Sequence, residues 1–396
     1  MRECQGNTRW DSVAIRSESH YHGLMRNESD GQLTADELAK RRVPCFIGYI
    51  HPFRIVEADA FEPWACTIEQ VNGRHWDYAA LHEMAGGLDV GLAPPYHLVV
   101  SRDGALALPP LPELRSDQSA VECLNRCLAG LLLGGVYCEA ITPDGLDFGS
   151  IIDWRYIRSS RSGTSAPNRF HLHIRHGHAS PLDAIALYQP RTVKFDSLAR
   201  AMRIGLGTLN RLPAVRGDYF LRGVTGIARR DWGAALANTW IVAEQVISEL
   251  WRRHVVEPTV AEDATRARRA QLTDTRTWTA SARIELLFQK GILSKGTVAS
   301  LSNARKARND LSHEGRHPTQ ADALSAYDGV CGLMTVALEG ERPPLFALDL
   351  SDHLMSDPFD SPKRLTVEPT HWMEIPKLPG EVELERAEAA YRARRT

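Results

Sequence analysis

Apolar residues recur at helical spacing from Asp231 to Leu338, and this periodicity limits the possible folds more than any other feature of the chain. Asp231 can cap a long helix that runs through Ala234, Trp240, Val242, Ile247 and Leu250 to Trp251 and Arg253. Glu257 to Arg269 is polar and interrupts the pattern. Asp274 can cap a second helix, with Trp278, Ile284, Leu286 and Leu287 as its apolar face. Gly291 and Gly296 bracket a turn, and a third helix then runs from Leu301 to a stop signal at Gly315. Thr319 and Asp322 form a capping-box start for the last helix, Asp322 to Leu338. Four such helices are enough to enclose a bundle core.

Before residue 190 the signals are different. Pro44 to Ile50, Phe53 to Glu57 and Trp64 to Val71 are rich in aromatic and β-branched residues and predict strands. Tyr96 to Ser101 and Ala105 to Leu108 flank Arg102-Asp103-Gly104, a hairpin turn. After the break at Pro109-Pro110-Leu111-Pro112, Gln118 to Leu133 reads as an amphipathic helix. Further strands are predicted at Val136 to Ile141, Arg169 to Arg175 and Ala184 to Gln189. Residues 1 to about 42 are polar and turn-rich, with a lead-in helix at Thr34 to Arg42. The fold class expected is α+β: a mixed α/β domain over 1–190, an all-α helical bundle over 191–340, and an acidic, Pro-rich tail over 341–396. Glu381 to Arg395 in that tail can form a short charged helix.

A chain of 396 residues is long for one core, which agrees with two domains. Its net charge of −2 is unevenly spread. Arg191 to Arg230 holds nine Lys/Arg against Asp196 and Asp218, while Glu339 to Glu385 holds eleven acids against four bases. A basic middle suits a polyanionic partner, and near-neutrality overall argues against a protein that coats nucleic acid indiscriminately. Two solvated surfaces that neutralise each other would give the same pattern. The seven cysteines are scattered without a Cys-x-x-Cys pair, and Cys123 and Cys127 have the spacing of one helix face. A reduced, cytoplasmic protein is the simplest account. The N-terminus lacks the apolar core of a signal peptide, and the longest apolar run, Leu128 to Val136, is interrupted by glycines and too short to span a bilayer. No membrane association is expected.

His171, His173, His176 and His178 form one cluster. On a strand, His171 and His173 would share a face, as two metal ligands must. No acid lies between Asp153 and Asp183, and no cysteine is near, so a full shell would need distant residues. Exposed strand and turn histidines are the favoured reading, and no metal is assigned. Gly-rich phosphate loops, a Gly-x-Ser-x-Gly elbow and His-Glu-x-x-His are all absent from the sequence.

The chemistry concentrates in the third predicted helix of the bundle, Leu301 to Gly315. At about 100° per residue, Arg305, Asn309 and His313 fall on one stripe, with Arg308 on nearly the same side. His313 is the only nearby group that can give or take a proton at neutral pH. Arg308 cannot titrate and suits bidentate contact to phosphate oxygens. Asn309 can hydrogen-bond the imidazole or touch phosphate, and Arg305 can supply a second phosphate contact. A solvated face with a histidine that complements the helix dipole would also place these residue types here.

Arg308-Asn309-Asp310-Leu311-Ser312-His313 resembles the signature of the HEPN superfamily: an Arg, then a polar residue, then a His four to six positions after the Arg. The order of helices between Asp231 and Leu338 is also similar to that of a HEPN domain, so the resemblance covers about a third of the chain. It implies a HEPN-like helical bundle and a metal-independent endoribonuclease, without a cofactor, that cleaves RNA by 2′-OH attack. It also implies a homodimer in which the motifs of two copies meet in one composite site. Arg308, His313 and Asn309 would then be catalytic, and Arg305 and Glu244 would bind substrate. Glu244 lies where some relatives carry a polar or acidic residue facing the motif, although on its own it reads as a rim or salt-bridge acid. Such domains are common in bacterial toxin and antiphage effectors, so an abortive-infection role follows from the analogy. The N-terminal domain would respond to a partner protein or nucleotide trigger. Two other functions share these residues: a non-catalytic HEPN-like module for RNA binding, nucleotide binding or dimerisation, and a subunit of a larger triggered complex.

Overall fold

The computed structural model describes residues 41–93, 96–112, 114, 116–262, 266–353 and 380–394. The lead-in helix expected at Thr34 to Arg42 and most of the Pro-rich tail lie outside the described residues. Two compact units emerge: residues 1–124 with 141–199, and residues 125–140 with 200–396. The chain combines helices with an antiparallel sheet and is α+β. Among the described residues no helix is long and apolar enough to cross a membrane.

In the first unit, β1 (Arg42–Tyr49) and β2 (Ile55–Glu57) are followed by α1 (Ile68–Gly73) and α2 (Tyr78–Leu81). Next come β3 (Met84–Leu88), β4 (Leu98–Ser101) and β5 (Ala105–Leu108), then α3 (Asp117–Leu133). After these lie β6 (Asp147–Ile152), β7 (Tyr156–Arg161), α4 (Ala166–Arg175), α5 (Pro181–Ala184) and β8 (Thr192–Lys194). Six strands pair in the order β3-β4-β5-β1-β6-β7, all antiparallel, while β2 pairs with β8 in parallel. The two edges of the larger sheet approach one another. Glu83 bridges Tyr156, and the Met84 N–H donates to the Arg155 carbonyl at 2.7 Å, so the sheet curls towards closure.

Strand alternation divides the side chains between two faces. The inner face gathers Cys45, Ile47, Tyr49, Val99, Ala105, Ala107, Ile151 and Ile157 into one core. On the outer face, Gly48 sits under Leu124 and Ile141, and an added Cβ would come 2.2 Å from the Ile141 Cδ1. The hairpin turn expected at Arg102-Asp103-Gly104 is present, with Gly104 at φ 78°. A second core, around Ile55, Val71, Trp76, Leu81, Ile174 and Leu187, ties the helices of this unit together.

Several predicted strands are not strands. Trp64 to Val71 contains α1, because Thr67 and Gln70 exchange both bonds of a capping box and commit the backbone to a helix. Arg169 to Arg175 lies in α4, which starts from Ser165 capping the Asn168 N–H, with Pro167 in the first turn. Ala184 to Gln189 falls in α5 and the 3₁₀ turn that follows it, again started by a serine cap, Ser180, and a proline. Val136 to Ile141 has no regular secondary structure and joins no sheet. In each of the three helical cases local side-chain capping overrides β propensity.

The second unit is helical. Beginning in the first unit, α6 (Phe195–Arg211) is followed by α7 (Gly217–Ala228), α8 (Trp232–Trp251), α9 (Glu257–Glu262) and α10 (Arg266–Thr273). Then come α11 (Ala280–Gln289), α12 (Lys295–Asn309), α13 (Gln320–Ala337) and, in the tail, α14 (Glu381–Ala393). α8 is the central rod. It starts at the Asp231 cap, buries Leu236, Trp240, Val246, Ile247 and Leu250, and packs against α7, α11, α12 and α13. Trp251 at its end stacks obliquely on Trp278 at 4.9 Å and donates its indole N–H to the Leu272 carbonyl. α3 and α6 cross at backbone contact: a Cβ on Gly205 would lie 1.8 Å from the Gly130 carbonyl oxygen. Thr319 and Asp322 form both halves of the capping box that starts α13.

Candidate functional site

The motif helix α12 is started by Ser294, whose hydroxyl accepts from the Thr297 N–H. Its Leu301, Ala304 and Ala307 are buried, and Gly329 of α13 comes so close that a Cβ there would sit 2.8 Å from the Leu301 side chain. Arg305, Arg308 and Asn309 are half-buried, Arg308 continuing the line of Leu301 and Ala304 at i+7 and i+4. At Asp310 the helix changes character. Asp310 to Glu314 form a π turn, in which the Gly315 N–H donates to the Asp310 carbonyl, and Gly315 ends it at φ 67°. The stop at Gly315 is thus where the sequence places it.

The π turn changes the angular spacing of the motif residues that it covers. In a regular α-helix, positions five apart diverge by about 140° at roughly 100° per residue. An i→i+5 repeat brings such positions closer to one line. Arg308 and His313 are five apart, and the π turn covers the last of these positions, so it narrows their divergence without taking His313 off the Asn309 side. Arg308 Nη1 donates to Asn309 Oδ1 at 3.3 Å, which ties the two neighbours together. His313 is exposed and makes no hydrogen bond or ion pair among the described residues. Asp310 is engaged separately, by Arg316 at 3.8 Å.

Arg305 lies one turn back on α12, half-buried and without an ion pair among the described residues. Glu244 is exposed on α8, where its carboxylate accepts from the Trp240 indole N–H at 2.8 Å, within its own helix. No hydrogen bond or ion pair joins Glu244 to the motif among the described residues. The structure therefore brings Arg308 and Asn309 together, sets His313 free on the following turn, and holds Glu244 to Trp240.

The histidine cluster is arranged differently from its expected strand. In α4, residues two apart point to different sides, so His171 and His173 do not share a face. His171 is buried and bonds Asp103 Oδ2 through Nδ1 at 2.9 Å. His176 and His178 are exposed, with ring centres 6.4 Å apart. Among the described residues no group of three His, Cys, Asp or Glu side chains is placed to hold a metal.

Around His171 lies a polar network that has no counterpart in the sequence-based reading. Arg175 forks onto Asp103, with Nε to Oδ2 and Nη2 to Oδ1 each at 2.6 Å, and Ser101 Oγ donates to Oδ1 at 2.6 Å. Tyr49 stacks on His171 at 3.9 Å and donates its hydroxyl to Asp147 Oδ2 at 2.8 Å. Asp147 also accepts from Asn168, Ser159 and the Gly163 N–H. Burial alone would raise the Asp103 pKa, but the Arg175 charge and the hydrogen bonds from Arg175 and His171 hold it well below the usual carboxylate range. Burial lowers the His171 pKa and so favours the neutral imidazole, against the pull of Asp103, which favours the charged form. Asp103 and Asp147 are fully buried and His171 and Arg175 nearly so, which leaves no approach for a substrate. This cluster fixes the inner face of the curled sheet to α4. The one signal in the sequence was the i, i+4 spacing of His171 and Arg175, which only a helical reading would have aligned.

No family model matches the chain, and no curated protein or solved structure matches it.

Proposed function

We propose that the protein is a metal-independent endoribonuclease of HEPN type, with Arg308, Asn309 and His313 as its catalytic group. The observation that carries this reading is the end of α12. There a buried-backed helix widens into a π turn that carries an exposed imidazole, without a hydrogen bond or ion pair among the described residues, five positions after a guanidinium that is bonded to an amide. π turns within α-helices recur at functional sites.

The chemistry follows from the residue types. The 2′-oxygen of a ribose attacks the adjacent phosphorus, the P–O5′ bond breaks, the 2′-hydroxyl proton is removed, and the leaving 5′-oxygen gains one. The His313 imidazole is the side chain of the motif suited to move such a proton. Arg308 steadies the negative charge that builds on the phosphorane oxygens. Asn309, bonded to Arg308, orients that guanidinium and offers its own N–H groups to phosphate, and Arg305 adds a second cationic contact one turn back. Base and acid are needed at once on opposite sides of the phosphorus, so a second copy of the chain supplying its own His313 would complete the site. The helical unit would then be the nuclease and dimerisation body, residues 1–190 would regulate it, and a bacterial defence or toxin role would follow.

The test is to incubate purified wild-type, Arg308→Ala and His313→Ala chains with total RNA. The products are fragments ending in 2′,3′-cyclic phosphate, formed by wild type and reduced at least a hundredfold in both variants. Cleavage that persists in His313→Ala would sink the assignment.

A further inference from the structure

We infer that the open outer face of β1, β6 and β7 is a binding platform for single-stranded RNA, separate from the motif at the end of α12. Phe46 and Phe148 are register partners on β1 and β6 and meet edge to face, with ring centres 5.3 Å apart and both rings half-buried. They line a groove of about 510 Å³ together with Arg42, Pro44, Ser150 and Ser160. Gly48, further along β1, is covered by Leu124 and Ile141, whereas at the other end of this face Arg42 and Pro44 are exposed among the described residues.

The charge on the face has one sign. Arg42 Nε donates to Ser150 Oγ at 2.8 Å, Arg158 is the register partner of Ser150, and the Arg161 guanidinium lies 5.3 Å over the Phe148 ring. None of these three arginines pairs with a carboxylate among the described residues. The only acid within the three strands, Asp147, points to the inner face and is engaged by Tyr49 and Asn168.

A bulge produces this arrangement. Phe148 opposes Arg161 and Gly149 opposes Ser159, so Ser160 is the extra residue of β7. Ser159 bonds the inward Asp147, whereas Ser160 and Arg161 both reach Phe148, so two successive side chains share the outer side. Gly149 permits the bulge, since a Cβ there would lie 2.1 Å from the Arg158 carbonyl oxygen. At the tip of the same hairpin, Asp153 and Trp154 hold positive φ of 53° and 54°, and the Trp154 indole is 39% exposed. These two residues are the centre of the tight hairpin turn, closed by the Arg155 N–H donating to the Ile152 carbonyl at 2.9 Å.

Aromatic rings beside guanidinium groups that no carboxylate among the described residues neutralises suit a strand whose bases are unstacked and whose phosphates run alongside. An apolar protein partner would leave the three arginines uncompensated, and a duplex would offer no free base faces. The choice of RNA over DNA rests on the ribonuclease reading, while the stacking and charge argument does not.

The experiment measures binding of a fluorescent oligouridylate of about twelve residues to the full chain carrying His313→Ala, so that no strand is cut. Its deoxy counterpart and an RNA duplex of equal length serve as competitors. In that background Arg158→Glu with Arg161→Glu changes only exposed positions, and Phe148→Leu keeps apolar volume while removing the ring. Each should weaken binding about tenfold or more. The arginine pair should also flatten the salt dependence by roughly 0.7 in log–log slope for each phosphate left without its guanidinium. An unchanged Kd in both variants overturns the platform, as does a duplex that binds as tightly as the single strand. Equal affinity for the deoxy strand overturns the choice of RNA. RNA cleavage that fails in the wild-type chain while these binding results hold would count against the nuclease reading alone.

Discussion

Replacing Arg175 with Met should open the first unit and leave the helical unit as it was. In the wild type both oxygens of Asp103 are shared between two donors: Arg175 Nε and His171 on one, Arg175 Nη2 and Ser101 on the other. Arg175→Met removes the two charged donors and strands a fully buried carboxylate with a serine hydroxyl and an imidazole. Breaking a buried pair from one side costs about 3–5 kcal/mol. Lysine would not substitute, because a point charge cannot reproduce the planar fork. Hydrogen exchange read by mass spectrometry separates the units by peptide. Amides of β1, β5 and β6 should exchange about a hundred- to several-thousand-fold faster at their slowest sites, at roughly 1.4 kcal/mol per factor of ten. Peptides of α8 and α13 should change far less. Asp103→Leu with Arg175→Met removes both charges and should recover most of the loss, since apolar replacement of a whole buried pair is often close to neutral. Less than fivefold acceleration in Arg175→Met, or no recovery in the double variant, would refute the claim that this pair holds the sheet to α4.

Two further outcomes follow from the same structure. Gly315→Ala places a Cβ at φ 67°, costs about 1 kcal/mol at the end of the π turn, and should lower RNA cleavage while leaving the melting temperature within a few degrees, both measurable on one preparation. Acid should loosen the first unit. His171 and His82 have pKa values lowered by burial, so the unfolded chain binds more protons below its ordinary histidine pKa of about 6.5, and stability falls as pH drops through that range. Asp103, held low, adds a second loss below about pH 4. Faster exchange in β1 and β5 peptides at pH 5 than at pH 7, after correction for intrinsic rates, is the expected result.

The sequence carried the local order of the helical unit well. Asp231, Thr319 with Asp322, and Gly315 act through side chains or a dihedral within a few residues, so caps and stops could be read directly. The β4–β5 hairpin was legible for the same reason: Gly104 supplies the positive φ its turn requires. Failures arose where two local signals competed. Phe170, His171 and Ile174 suggest a strand, but Ser165 and Pro167 begin a helix first. Strands β3, β6 and β7 went unread, since glycines in Met84–Leu88, a bulge at Phe148/Gly149 and a polar β7 blur their alternation. The buried network was out of reach, because Arg175 and Asp103 lie 72 positions apart and meet only once the sheet has curled. Within the motif the residue types were legible, but the π turn was not, and it shifts the azimuth of His313.

That widened turn makes the motif sensitive to chain length as well as to composition. A chain lacking one residue between Arg308 and Gly315 could keep its arginine, amide and imidazole, relax to a plain α-helix, and aim them along different azimuths. Two sequences with the same motif letters would then differ in whether those groups converge. Spacing, counted residue by residue up to the terminating glycine, is as much a part of the signature as the side chains themselves.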